Sequence, residues 1–120
     1  MEHITRSFED YLEAVLICEK KIGKVKAVNL CEVMGISRPA VAKMLKLLES
    51  ENLITRERNV ILLSLAGREI AEKVFQKHNV VKDFLIRLGV SENTAEIDCC
   101  KIEHCISNET FLAIKKFTDK

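Results

Sequence analysis

The sequence predicts a mostly α-helical chain, an N-terminal winged helix-turn-helix with a small β-hairpin wing followed by a helical region. Three observations carry that prediction. Only one proline and four glycines occur in 120 residues, so little interrupts helix. Apolar residues recur at helical spacing through most of the chain. One stretch, residues 53–63, instead carries two short β-branched and leucine-rich runs around a polar tripeptide. At this length the chain holds one domain, or one small domain with a helical extension.

The elements follow in order. Ser7 is a candidate N-cap, with Glu9 and Asp10 in the first turn where acids suit the helix dipole. The first helix then runs to about Lys21, with Phe8, Leu12, Val15 and Leu16 as its core stripe, and Gly23 ends it. A short second helix spans about Ala27–Met34, burying Val28, Leu30 or Cys31, and Val33. Gly35 can take the left-handed conformation that closes a helix, Ser37 can cap the next, and Pro39 falls in its first turn, where a missing N–H costs little. The third helix reaches about Ser50 and turns Val41, Leu45 and Leu48 inward.

Residues 53–56 and 60–63 read as strands around Glu57-Arg58-Asn59. A long helix follows to about Leu88 and stops at Gly89. Ser91 caps a helix expected to run through about Ile106, and Ser107 caps a last one ending near Phe117. The expected division is 1–64 for the winged helix-turn-helix and 65–120 for the helical region.

Bulk charge excludes a uniformly basic nucleic-acid binder, because the net charge is only +1. The charge is segregated, however. Lys24–Arg58 holds seven Lys/Arg against four acids, and Ser91–Thr110 holds one lysine against five acids. One part can face an anion and another a cation. Five cysteines without framework spacing, and an opening without an apolar signal core, point to free thiols in a reducing cytoplasm. No apolar run suits a membrane span, so no membrane partner is expected.

Two short helices joined by a tight turn and followed by a hairpin place the third helix in the DNA major groove. With Val41, Leu45 and Leu48 inward, the outer face carries Pro39, Ala42, Lys43 and Lys46, with Ser37 and Arg38 at its start. Small residues at 39 and 42 let the helix approach base edges. Ser37, Arg38, Lys43 and Lys46 supply hydroxyl and cationic donors for phosphates and bases, and Arg56 and Arg58 on the wing reach the flanking backbone. The competing reading is a winged helix that docks protein.

A second constellation mixes carboxylates, imidazoles and thiols. On one continuous helix, Cys100, Glu103 and His104 share a face, with Glu96 on the same stripe, and Asp10 and Glu13 are i, i+3 neighbours on the first helix. His78 stands in the long helix. Taken singly, His78 reads as a surface or capping histidine and the acids at 10 and 13 as a solvated face. Taken together, O, N and S donors on three helices suit a divalent transition metal. Cys100 and His104 as a nucleophile–base pair lack an oxyanion site and cleft, so an enzyme is not expected. Cys18 and Cys31 lie on apolar faces, and Cys99 and Cys105 receive no role.

Ser-Phe-Glu-Asp-Tyr-Leu-Glu at 7–13 resembles the opening helix of the DtxR/MntR family of iron- and manganese-dependent repressors. Ser-Arg-Pro-Ala-Val-Ala-Lys-Met at 37–44 resembles that family's recognition helix. Lys77-His78 and Asp98-Cys99-Cys100-Lys101-Ile102-Glu103-His104 resemble its metal-binding helices. The resemblance implies metal ligands at Asp10, Glu13, His78, Cys100, Glu103 and His104. Asp10 and Glu13 match the manganese type and Cys100 the iron type. Glu96 stands where the iron type has histidine and is a further metal-ligand candidate in its place, and the expected ancillary acid falls on Lys82, next to Asp83. A short form without the SH3-like domain is implied.

The function so implied is a repressor loaded with Mn(II) or Fe(II), with Co(II) and Zn(II) able to substitute. It would bind palindromic double-stranded operator DNA as a homodimer and control metal-uptake genes. Phe75, Phe84, Leu85, Ile102 and Ile106 are the candidate apolar dimer contacts. The alternative is a metal-independent winged-helix regulator that senses oxidants through Cys99-Cys100 or binds a small molecule.

Overall fold

The structure is a computed structural model that describes residues 6–119; Met1–Thr5 and Lys120 lie outside the described residues. Its elements run α1 (Arg6–Ile22), α2 (Ala27–Met34), α3 (Arg38–Ser50), β1 (Ile54–Glu57), β2 (Val60–Leu63), α4 (Leu65–Arg87), α5 (Glu92–Ile102) and α6 (Asn108–Thr118). Three helices, a hairpin and three further helices thus appear in the expected order. The chain divides after Glu72 into two compact units.

In the first unit the stripe on α1 is buried as its spacing requires: Phe8, Leu12, Val15 and Leu16 are all core residues, joined by Val41, Leu45 and Leu48 of α3. Gly35 adopts φ 66°, and its N–H and that of Ile36 bond back to the Cys31 carbonyl, closing α2. Two residues later Ser37 is extended, and its Oγ accepts from the Ala40 N–H at 3.3 Å, opening α3 with Pro39 in the first turn. These two caps set the turn between the helices.

The hairpin is antiparallel, pairing Ile54 with Leu63 through Glu57 with Val60. Its turn residues Arg58 and Asn59 both have positive φ (50° and 69°), the sign a two-residue turn needs to match strand twist. The hairpin is fastened twice. Ile61 N–H donates to the Val25 carbonyl at 2.8 Å, tying the wing to the segment before α2. Ser64 donates from Oγ to the Asn52 carbonyl at 2.7 Å and accepts from Gly67 N–H at 3.0 Å, tying the start of α4 to the entry of β1. Here Gly67 is required by space, because a Cβ would collide with the Leu53 carbonyl. Arg68 then forms a bidentate pair with Glu19 of α1 at 2.8 and 3.0 Å.

In the second unit α5 is capped by Ser91 and α6 by Ser107, whose hydroxyls accept from Thr94 and Thr110 N–H. Phe84 of α4 meets Phe117 of α6 edge to face, with centroids 5.9 Å apart. Arg87 donates to the Thr118 carbonyl, holding the end of α6 to α4.

Four local expectations are corrected. Ser7 lies inside α1 and is not its N-cap, and Leu53 precedes β1. Val28 and Val33 are exposed (44% and 56%), leaving Leu30 as the buried residue of α2. An eight-residue helix buries a narrow stripe, and Val28 lies two residues from Leu30, on the opposite side of a 3.6-residue turn. Finally, α5 ends at Ile102 and not at Ile106. Cys105 N–H bonds to the Ile102 carbonyl, a tightened i to i+3 link, and Ser107 must be extended to cap α6.

Gly67→Ala should lower stability by about 1–3 kcal/mol through overpacking against backbone. A lower denaturant midpoint with unchanged slope is expected; an unchanged midpoint contradicts the close approach.

Candidate metal centre and nucleic-acid interface

The nucleic-acid face belongs to the first unit. Ser37, Arg38, Pro39, Ala42, Lys43 and Lys46 are all exposed along one side of α3, and Arg56 and Arg58 are exposed on the hairpin. A cleft between α2, α3 and the hairpin is lined by Lys26, Val28, Arg38, Ala42, Arg56 and Asn59, so three cations rim a floor of small and apolar groups. Arg56 Nε lies 3.7 Å from Glu49 of α3, which steers the wing's arginine toward the recognition helix. Lys26 and Asn59 are members of this face that the sequence did not mark. Their signal is tertiary, because the wing folds back beside α2. The Ser37 hydroxyl already accepts a helix-capping bond and keeps its own O–H for a donor role.

The metal-ligand candidates of the second unit converge on His78, which is buried in α4. Its Nε2 lies 2.9 Å from Glu96 Oε2 of α5. Its Nδ1 faces Glu103 Oε2 at 3.6 Å, Cys99 Sγ at 3.6 Å and Cys100 Sγ at 3.7 Å. The other oxygen of Glu103 lies 3.4 Å from His104 Nε2, so this carboxylate sits between two imidazoles. Although the helix ends before them, Glu103 at its C-cap and His104 in the following turn still reach the cluster. On α1 in the first unit, Asp10 is half-buried and Glu13 buried, three residues apart.

Charge explains how a buried imidazole persists here. The Glu103 carboxylate beside Nδ1, aided by Glu96, raises His78 to about 9 against the opposing effect of burial. Burial alone would raise the Glu96 carboxyl, but the hydrogen bond and charge of His78, with Lys82 at 3.3 Å, hold it below its ordinary value. Burial, with Cys100 and the nearby acids, pushes the Cys99 thiol up to about 12, and that thiol donates to the Glu96 carbonyl at 3.3 Å.

The donor set fits a divalent transition metal. Both oxygens of Glu103 are buried and accept no hydrogen bond among the described residues, and an imidazole and two thiols lie beside that carboxylate. Glu96 binds the far ring nitrogen, the carboxylate–histidine arrangement that fixes the tautomer and aims the near nitrogen at an ion. It thereby takes an orienting role, and Lys82 on the same oxygen disfavours a second cation at that point. Cys99, like Cys105, received no metal role from sequence reasoning.

Two family profiles match this chain. The N-terminal DNA-binding domain of iron-dependent repressors matches residues 3–59, and their metal-binding and dimerisation domain matches residues 64–120. The chain belongs to the iron-dependent repressor family. Among relatives of this family, the transcriptional regulator MntR of Escherichia coli O6:H1 is 34% identical over 119 residues, covering 98% of this chain and 77% of that protein. An HTH-type transcriptional regulator of Methanocaldococcus jannaschii is 34% identical over 120 residues, covering 98% of this chain and 96% of that one. The solved structure of the manganese regulator SloR superposes with a TM-score of 0.82 at 26% identity, covering 93% of this chain and 53% of that one. The chain thus spans about half the length of that solved relative. No helix among the described residues is long and apolar enough to cross a membrane.

In the metal-free repressor-family chain the raised pKa of His78 stabilises the fold fully below its ordinary value of 6.5, and this contribution is lost as pH rises through about 9. An NMR titration of the metal-free protein should place the His78 midpoint near 9; a midpoint near 6.5 contradicts the carboxylate pairing.

Proposed function

We propose that this chain is a metal-dependent transcriptional repressor that binds palindromic operator DNA as a homodimer when loaded with Mn(II) or Fe(II), and so controls metal-uptake genes in the cytoplasm. Residues 1–64 are the DNA-reading winged helix-turn-helix, and residues 65–120 carry dimerisation and metal binding. The chain works by binding and not by catalysis. The observation that carries this reading is the buried His78 imidazole held between Glu96, Glu103 and two thiols, in a chain whose other unit presents a cation-rimmed recognition helix.

The ligand set of this proposal is His78, Cys100, Glu103 and His104, completed by Asp10 and Glu13. Support for the last two is their i, i+3 spacing on α1 and the resemblance of residues 7–13 to the family's opening helix. In this reading a divalent cation supplies the positive charge that would let the acids of α1 join Glu103 and Cys100 in one ligand set. The coupling such a switch needs is about 1–3 kcal/mol. A two-fold dimer then offers paired recognition helices to two half-sites one helical turn apart.

The DNA side rests on Ser37, Arg38, Pro39, Ala42, Lys43 and Lys46, with Arg56 and Arg58 on the flanking phosphates. Lys43→Ala with Lys46→Ala should weaken binding across sequences and flatten the slope of log affinity against log salt by about 3.6, at roughly 0.9 for each of the four phosphate contacts a dimer would lose. In the same assay Glu103→Ala should remove the metal dependence of operator binding. An unaltered salt slope removes the lysines from the interface. Metal dependence that survives Glu103→Ala, or operator affinity that follows oxidant and ignores metal, overturns the sensor reading in favour of a thiol regulator.

A further inference from the structure

The ligand set above does not include Cys99, yet its side chain stands against the same imidazole as Cys100. Its Sγ lies 3.6 Å from both ring nitrogens of His78, and Cys100 Sγ lies 3.7 Å from Nδ1. The three donor atoms all lie within 4.8 Å of one another. Adjacent positions on a helix ordinarily diverge by about 100°. Here both thiols turn to one ring on a neighbouring helix, Cys99 fully buried and Cys100 half-buried.

The distances match a particular coordination. With metal–sulfur bonds of about 2.3 Å and metal–nitrogen bonds of about 2.0–2.1 Å, tetrahedral angles set the N···S edge at about 3.5 Å. The Cys100 Sγ···Nδ1 separation lies close to that edge, and Cys99 Sγ, equally near both ring nitrogens, needs a shift of about an ångström toward the Nδ1 side to share the ion. The ring is aimed for this role, because Nε2 is engaged by Glu96 and Nδ1 is the nitrogen common to both thiols. The Cys99 thiol bonds to the Glu96 carbonyl at 3.3 Å, which holds its sulfur on the His78 side.

We propose that His78 Nδ1, Cys99 Sγ and Cys100 Sγ form a two-thiolate metal site that selects thiophilic ions, Zn(II), Cd(II) and Co(II), over Mn(II). The proposal deepens the metal-sensing reading and rests on His78 and Cys100 being ligands. On binding, two S–H bonds break and two metal–sulfur bonds form, with two protons passing to the buffer and no change of oxidation state. Thiolate pairs favour soft and borderline ions, whereas Mn(II) prefers oxygen donors.

Titration of the reduced full chain with Co(II), read by thiolate-to-metal charge-transfer absorption in the near ultraviolet, tests this directly. Cys99→Ser and Cys100→Ser should each remove about half of that absorption and the double variant all of it, as two thiolates require. Cys105→Ser, at an exposed position, should leave it intact. Because Cys99 is fully buried, the wild-type protein supplies a check independent of its variants. X-ray absorption of the Zn(II)-loaded chain should count two sulfurs at about 2.3 Å. One sulfur, or full charge-transfer absorption in Cys99→Ser, overturns the two-thiolate site. Loss of that absorption in His78→Gln and Cys100→Ser but not in Cys99→Ser leaves the metal-sensing reading standing, and indifference to all three variants removes that reading as well.

Discussion

His78 is an imidazole enclosed in the middle of a 23-residue helix, and burial by itself disfavours its charged form. What reverses that preference is a carboxylate on each side of the ring, Glu96 at Nε2 and Glu103 at Nδ1. The arrangement orients the ring as well as charging it. One nitrogen is committed to a partly exposed acid, and the other is turned toward a buried carboxylate and two thiols. Around this ring the second unit also sets Lys82 against Glu96 and places Glu103 between two histidines.

The DNA-reading unit solves a different problem, the rigid presentation of a short helix. Caps at Gly35 and Ser37 fix the turn before α3, and Val41, Leu45 and Leu48 anchor its inner face. The hairpin is fastened at Val25, at Asn52 and by the approach of Gly67 to Leu53. The bonds at Val25 and Asn52 each satisfy a backbone carbonyl, the approach of Gly67 is steric, and all three leave the outer face of α3 unobstructed. The bidentate Arg68–Glu19 pair adds charge-assisted bonds between the start of α4 and α1. The result is a cleft whose rim is cationic although the chain as a whole is nearly neutral.

Much of this was readable from residue order. The α1 stripe, the inner face of α3, the two caps of the helix-turn-helix and the hairpin are local patterns with local causes. That Glu96, Cys100 and Glu103 share a stripe followed from spacing, whereas the pairing of His78 with them came only from the family resemblance. The end of α5 was not, since Glu103–Ser107 contains neither glycine nor proline, and only the extended cap at Ser107 forces the helix to stop. The exposure of Val28 and Val33 was hidden because hydropathy does not reveal how narrow a stripe an eight-residue helix buries. Cys99 was hidden for a tertiary reason. Its position on the helix pattern marked no partner, and only the placement of α5 against α4 shows which ring its sulfur meets.

The central claim is that the carboxylate at Nε2 reserves Nδ1 of His78 for a metal ion. Two-dimensional nitrogen-15 NMR of the imidazole side chains during stepwise addition of Cd(II), a diamagnetic ion, tests it most directly. The account predicts that His78 Nδ1 shifts and couples to cadmium by one equivalent, while Nε2 keeps the proton it gives to Glu96. Coordination through Nε2, or a His78 ring indifferent to the ion, contradicts it.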